Sequence, residues 1–236
     1  MKVLNLSTLF SLQGEFSLPK EAEFLTISPL YDEALAAKFD KCKFVRCEAG
    51  TVAFVVALLC GEVLGGKFSE LDTGFLSAES NVGEEELPEI LEFLAQTNKV
   101  VVSPEVGDEC VLTLLRALQV KFGFDILNLA GECVCVEQNE DFVPTLGEAE
   151  NFDGAVIFTH AKPEFFSQNG ECDLRGGRFF AAAAKLANGA KVRVKSAQGE
   201  FEANFVLDES LKGTIGFLGK KGLKFGFEKL RTVNEN

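Results

Sequence analysis

The sequence contains no tryptophan, one tyrosine, one histidine, one methionine and six prolines in 236 residues. A single histidine, His160, cannot build a multi-histidine metal site, and it leaves little room for an imidazole-activated nucleophile. The seven cysteines form no CxxC pair. Cys42 and Cys47 have four residues between them and Cys133 and Cys135 have one, so zinc and iron–sulfur ligand spacing is missing. Long apolar runs are also missing. The longest, at 52–60, holds nine residues, where a membrane-spanning helix needs about 20. The N-terminal residues lack a continuous apolar stretch with a small-residue cleavage site, so no signal peptide is expected. Positive charge is scarce: 23 Lys and Arg stand against 36 Asp and Glu, for a net charge of -13. That balance argues against a nucleic-acid partner, because phosphate binding needs surplus Lys and Arg. An odd set of thiols without a disulfide rhythm points to free, mostly buried cysteines and a cytoplasmic location.

What is present describes a globular α/β chain. Hydrophobic residues make up 47% and charged residues 25%, and the interior is supplied with 23 phenylalanines, whose rings need no polar partner. Charge divides the chain. Residues 1–150 carry 10 basic and 26 acidic side chains, residues 151–236 carry 13 and 10. A boundary is expected in the polar stretch at 145–151, separating an acidic α/β domain at 1–150 from a smaller domain at 151–236.

In the first part, Phe24-Leu25-Thr26-Ile27, Lys99-Val100-Val101-Val102 and 125–129 read as buried strands. Helices are expected between them. At 108–122, Val111, Leu114, Leu115 and Leu118 share one helical face, with Asp108 as N-cap and Gly123 as stop. Leu87, Ile90, Leu91 and Leu94 repeat the pattern, with Pro88 in the first turn and Glu84, Glu85 and Glu86 at the positive end of the helix dipole. This alternation favours a mainly parallel sheet. The second part holds short strands at 191–195, 201–207 and 214–218 separated by glycine turns, with little helix signal, and suggests a small β-barrel.

Few motifs could carry chemistry. Gly61-Glu62-Val63-Leu64-Gly65-Gly66-Lys67 matches seven positions of a phosphate-binding loop, but Phe68 stands where a Mg²⁺-binding hydroxyl belongs, and the run follows a helix instead of a strand. Cys133 and Cys135 would share a face of an extended strand, which is as easily a core stripe as a ligand pair, and structural thiols are the favoured reading. His160 reads as a structural histidine, and the Glu84–86 run as a solvated helix start. Gly176-Gly177-Arg178 reads first as a tight turn with an exposed arginine. Its two glycines would also let a ligand approach the backbone, with Arg178 forking onto phosphate.

Two longer stretches carry a family resemblance. The segment Leu71-Asp72-Thr73-Gly74-Phe75-Leu76-Ser77-Ala78-Glu79-Ser80-Asn81-Val82-Gly83-Glu84-Glu85-Glu86 resembles part of the large peripheral-arm subunit of bacterial NADH-quinone oxidoreductase (respiratory complex I), in the form found in the Campylobacter and Helicobacter group. Ala187-Asn188-Gly189-Ala190-Lys191-Val192-Arg193-Val194, with Gly199 and 206–214, is similar to the C-terminal molybdopterin-dinucleotide-binding domain of the molybdopterin oxidoreductase superfamily, to which that large subunit belongs. The resemblance implies a double-psi barrel at 151–236 and places 170–178 where that superfamily has a glycine–arginine loop. It makes Gly176, Gly177 and Arg178 the candidate cofactor-binding residues. It also implies the other proteins of the peripheral arm as partners, at the cytoplasmic face of the inner membrane, without direct membrane insertion. The cysteine-rich cluster motifs of a full-length large subunit are missing from this chain. The expectation is therefore the part behind them, as a split gene product or fragment, with no catalytic residue, no metal and a scaffolding role. The alternative is a subunit that binds a molybdopterin dinucleotide.

Overall fold

The computed structural model describes residues 1–136, 146, 152, 154–161 and 172–232. The chain divides into two compact units, Met1–Glu150 and Asn151–Asn236. The expected boundary at 145–151 lies outside the described residues apart from Leu146.

Unit 1 is built on a parallel sheet. Its elements are β1 (Lys2–Asn5), α1 (Phe10–Gln13), β2 (Glu23–Ser28), α2 (Glu33–Lys38), β3 (Lys41–Arg46), α3 (Val52–Val63), a 3-10 turn (Gly66–Glu70), α4 (Thr73–Ser80), α5 (Leu87–Leu94), β4 (Lys99–Val101), α6 (Glu109–Phe122) and β5 (Asp125–Leu127). The strand order is β3-β2-β1-β4-β5 and every pair is parallel. Parallel strands covered on both faces should be apolar on both, and the central ones are. Leu4, Leu25, Ile27, Val100 and Ile126 enter one core with α3, α5 and α6. Their neighbours Val3, Phe24, Val101 and Leu127 enter a second core with Phe10, Leu35 and Phe39. The alternation that makes a strand thus sorts one apolar run into two cores.

The helices end where local chemistry dictates. Asp108 caps α6 by accepting from the Val111 amide at 2.8 Å, and Gly123 stops it at φ 78°. Glu86 precedes α5 and accepts from the Gly83 amide at 3.0 Å, while Glu84 and Glu85 stay exposed. Helix α3 is apolar nearly all round because α4 and α6 flank it as well as the sheet. The near-phosphate-loop begins inside α3 at Gly61, where a Cβ would stand 2.8 Å from Thr73 Cγ2. That glycine serves close packing of α3 on the start of α4.

Unit 2 is a seven-stranded mixed sheet with one short helix among its described residues. It comprises β6 (Val156–His160), β7 (Cys172–Gly176), α7 (Arg178–Ala184), β8 (Lys191–Ser196), β9 (Gly199–Leu207), β10 (Ile215–Gly219), β11 (Gly226–Lys229) and β12 (Arg231–Thr232). The order is β11-β6-β10-β7-β9-β8-β12, with parallel pairs β6–β10 and β7–β9 and the rest antiparallel. The two edge strands are consecutive in the chain, so the sheet curls back until its edges nearly meet. Glu228 of β11 bridges that seam, accepting from the Ala197 amide at 2.8 Å and the Ser196 hydroxyl at 3.2 Å. Inside lie Ile157, Leu174, Val192, Val194, Phe205 and Leu218, with Phe180 of α7 fully buried among them. The one helix among the described residues of this unit, α7, has seven residues, in keeping with the weak helix signal of the sequence. Four consecutive alanines after Phe180 favour the helix, and the buried Phe180 ring anchors it.

Among the described residues, no helix is long and apolar enough to cross a membrane.

Candidate functional site

In an open parallel sheet the strand order reverses at one place, and ligands favour the crevice outside the carboxyl ends of the strands there. Here that place lies between β1 and β4. The residues leaving those strands are polar and buried: Asn5, Ser7, Thr8, Gln13 and Ser103, with Thr26, Ser28 and Asp32 from the adjacent β2 end. Most of them answer one another. Asn5 Oδ1 accepts from the Ser7 amide at 3.1 Å and the Ser7 hydroxyl at 2.6 Å. Gln13 Nε2 donates to the Thr8 carbonyl at 2.6 Å and to Glu105 Oε1 at 2.8 Å. The Asp32 carboxylate accepts from the Ser11 amide at 2.8 Å, the Ser11 hydroxyl at 2.5 Å and the Leu35 amide at 2.9 Å, which caps α2. Leu9, at φ 51°, takes the left-handed turn that lets the chain enter α1 directly from β1. Ser103 Oγ and Glu105 Oε2 are buried without a partner among the described residues.

This chemistry suits hydroxyl groups and backbone amides better than phosphate. The loops leaving β1, β2 and β4 contain no Lys or Arg, and two carboxylates, Asp32 and Glu105, belong to the cluster. An incoming phosphate would meet like charge with nothing to offset it. The cluster chiefly ties three strand ends together. Asp32→Ala strands two amides and a hydroxyl, and is expected to destabilise unit 1 by about 1–3 kcal/mol. The sole tyrosine, Tyr31, sits in unit 1 beside this residue, so tyrosine fluorescence during urea unfolding reads the loss from that unit alone.

The sequence-nominated residues of unit 2 stand at the corner between β7 and α7. Gly176 ends β7, Gly177 precedes the helix and Arg178 begins it, so the arginine opens a helix where a tight turn was expected. Both glycines are packed by the chain itself. A Cβ on Gly176 would lie 2.2 Å from Phe180 Cδ1, and one on Gly177 would lie 2.0 Å from the Leu211 carbonyl oxygen. Arg178 is exposed and forks onto the Glu209 carboxylate, with Nε at 3.2 Å. Close by, the Asp208 carboxyl is held below its ordinary range by the Ser210 hydroxyl and amide. The preceding residues 170 and 171 lie outside the described residues. His160 is fully buried at the end of β6 with its ring 6.3 Å from that of Phe217, and residues 162–170 after it lie outside the described set.

Sequence reasoning expected mostly buried thiols. Three of the seven are buried, Cys42 and Cys110 are half-buried, and Cys133 and Cys135 are exposed. The core-stripe reading of that last pair is corrected by register. Val134 and Val136 pack on the core and take the inward positions, which turns both cysteines outward. Burial raises the Cys47 thiol to about 12 and pushes Cys60 and Cys110 up as well. Among the described residues, no group of three His, Cys, Asp or Glu is placed to hold a metal ion.

Together these features define a two-unit α/β protein: a parallel-sheet unit with a polar edge, and a barrel-like unit with a glycine–arginine corner. No protein-family model and no curated protein matches the chain.

Proposed function

We propose that the chain is a non-catalytic structural component of the peripheral arm of an NADH-quinone oxidoreductase, corresponding to the part of the arm's large subunit behind its cluster-binding region. The observation that carries the reading is the segment 71–86, which resembles that large subunit. It forms α4 and the entry to α5, and there it presents the half-exposed Phe75 and exposed Glu79, Glu84 and Glu85. A mixed apolar and acidic surface of that kind suits docking to another protein of the arm. The polar edge of unit 1, most of whose groups pair with one another, and the self-packed glycines of unit 2 support scaffolding over turnover. Within this reading unit 2 is a double-psi barrel. Its parallel pairs β6–β10 and β7–β9, set in an otherwise antiparallel sheet, are consistent with crossed strands of that type. The complex would hold the chain at the cytoplasmic face of the inner membrane. The test is purification of the chain from its native cells. Co-purification of other peripheral-arm proteins, with no stoichiometric iron and no NADH oxidation by the isolated chain, is expected. Iron at one equivalent or intrinsic oxidation overturns the reading.

One observation favours a second reading, in which the barrel binds a molybdopterin dinucleotide. Arg178 and Glu209 are both exposed, and solvent screens a surface pair of this kind, so the arginine can exchange its carboxylate for a phosphate. Under this reading, protein from a host that supplies the cofactor releases a fluorescent pterin after acid oxidation, and Arg178→Ala diminishes it. Under the scaffold reading no pterin is released. In either case Arg178→Ala is expected to leave the stability of unit 2 nearly unchanged, because solvent screens this exposed pair.

A further inference from the structure

Residues 133–136 run antiparallel to β5, with the Val134 amide donating to the Ile126 carbonyl at 2.8 Å and Leu127 bridging Cys133. Val134 and Val136 pack on the core that holds Leu114, Leu118 and Ile126, and both stay half-buried. On that side of the segment, toward α6, lies a cavity of about 270 Å³, lined by Arg116, Gln119, Asp125, Ile126 and residues 133–136. Its hydrocarbon comes from Ile126, Val134 and Val136, and Arg116 is the cation in its lining. That cation is braced but unanswered. Arg116 Nη1 donates to Gln119 Oε1 at 2.6 Å, and Gln119 Nε2 donates to the Phe124 carbonyl at 2.7 Å, which fixes the guanidinium against the end of α6. Arg116 Nε is buried without a partner among the described residues. The carboxylate in the lining, Asp125, is already paired with Lys99 at 3.5 Å. A buried guanidinium without an acceptor for each N–H costs free energy that a bound anion offsets.

We propose that this cavity binds a small monocarboxylate with a hydrocarbon body, the carboxylate on Arg116 and the body on Ile126, Val134 and Val136. Charge and size select this class. One cation balances one carboxylate, whereas the second charge of a phosphate monoester would go unbalanced beside Asp125. A free amino acid is disfavoured too, because its ammonium would find in the lining only Asp125, which Lys99 engages. Pockets for drug-sized molecules begin at roughly 300 Å³, and this cavity falls just short of that, so the ligand is small. An apolar wall with one fixed polar group to set orientation is the usual form of such a site. The Cys133 and Cys135 thiols turn to the other face of the segment and take no part. This role goes beyond scaffolding and does not depend on it.

The test titrates the intact chain with benzoate, with benzamide, which has the same size and no charge, and with inorganic phosphate, following the methyl signals of Ile126, Val134 and Val136 by NMR. Benzoate is expected to shift those methyl signals saturably. Benzamide binds about tenfold more weakly, the scale of one charge-assisted hydrogen bond, and phosphate leaves the methyl signals in place. Arg116→Gln lowers benzoate affinity to that of benzamide without changing benzamide itself, and Arg116→Lys restores part of the difference. Circular dichroism verifies that each variant is folded, and if Arg116→Gln is not, the comparison of benzoate with benzamide on the unaltered chain decides alone. Unshifted methyl signals, equal affinity for benzoate and benzamide, or phosphate binding as tightly as benzoate overturns the proposal.

Discussion

Gly177→Ala is expected to unfold or severely destabilise unit 2, by about 3 kcal/mol or more, beyond the usual range for an added methyl group. The backbone at Gly177 is ordinary extended chain, with φ -74° and ψ -179°, so conformational strain is not the cause. The cause is the Leu211 carbonyl oxygen, 2.0 Å from where the Cβ would stand. A side chain in that position could rotate away, but a carbonyl can move only with its backbone. That backbone is tied down, since the Leu211 amide donates to the Asp208 carbonyl and the Asp208 amide to the Gly176 carbonyl at 3.0 Å. Gly176→Ala meets the Phe180 ring instead, and that ring fills the centre of the unit. Hydrogen exchange followed by mass spectrometry measures the effect unit by unit. Protection should fall across β7, β9 and β10 and persist in β1, β2 and β4. A Gly177→Ala protein with full protection in unit 2 would show that the packing is not what requires this glycine, and would return it to the ligand reading.

The second large effect is alkaline. Burial raises the Cys47 thiol from 9.0 to about 12, and burial, with Cys110 nearby, pushes Cys60 higher still. Cys60 Sγ is held by the Leu114 carbonyl at 3.5 Å, a weak partner for a thiol and none for a thiolate. Both groups hold their protons more tightly in the folded state than in the unfolded one. Their contribution is therefore intact below pH 9 and is lost as pH rises from there toward the folded values. Each thiol costs up to about 1.4 kcal/mol per pH unit in that window, so at about pH 11 the pair removes roughly 4–5 kcal/mol from unit 1. Urea unfolding under reducing conditions, followed by circular dichroism at several pH values, measures the slope. A Cys47→Ala, Cys60→Ala variant starts less stable because of the space left behind, yet should lose less stability per pH unit. Equal slopes in the two proteins would refute the assignment.

These two results bear on function from opposite sides. Glycines that look like a ligand cradle in the sequence are filled by Phe180 and Leu211, and thiols that look alike in the sequence separate into three buried, two half-buried and two exposed groups.

How much was legible depended on the range of the interaction concerned. Helix α6 could be read to its ends, because Asp108, the 111–118 stripe and Gly123 act within one or two turns. The strands at 24–27 and 99–102 were equally plain, since two covered faces require unbroken apolar runs. Helix α7 was missed. Its only start signal is a pair of glycines, and its anchor, Phe180, is apolar without showing what it faces. The polar edge of unit 1 left a faint trace in Ser7-Thr8 and Ser103-Pro104, hydroxyl residues close behind apolar strands. Nothing local says that these two points lie side by side. Arg116 gave no signal at all, being one charged residue on an amphipathic helix.

The missing metal spacing, the single histidine, the acidic front and mildly basic rear, the α/β class, both ends of α6 and the start of α5 were therefore determined by the amino-acid sequence itself, because each follows from composition or from contacts a few residues apart. Tertiary structure alone decided the strand order that puts the β1 and β4 ends together, the seam closed by Glu228, the neighbours that crowd Gly176 and Gly177, and the outward turn of Cys133 and Cys135. Each of these depends on strand pairing or packing between residues distant in the chain, and local preference does not specify which distant partner a residue will meet.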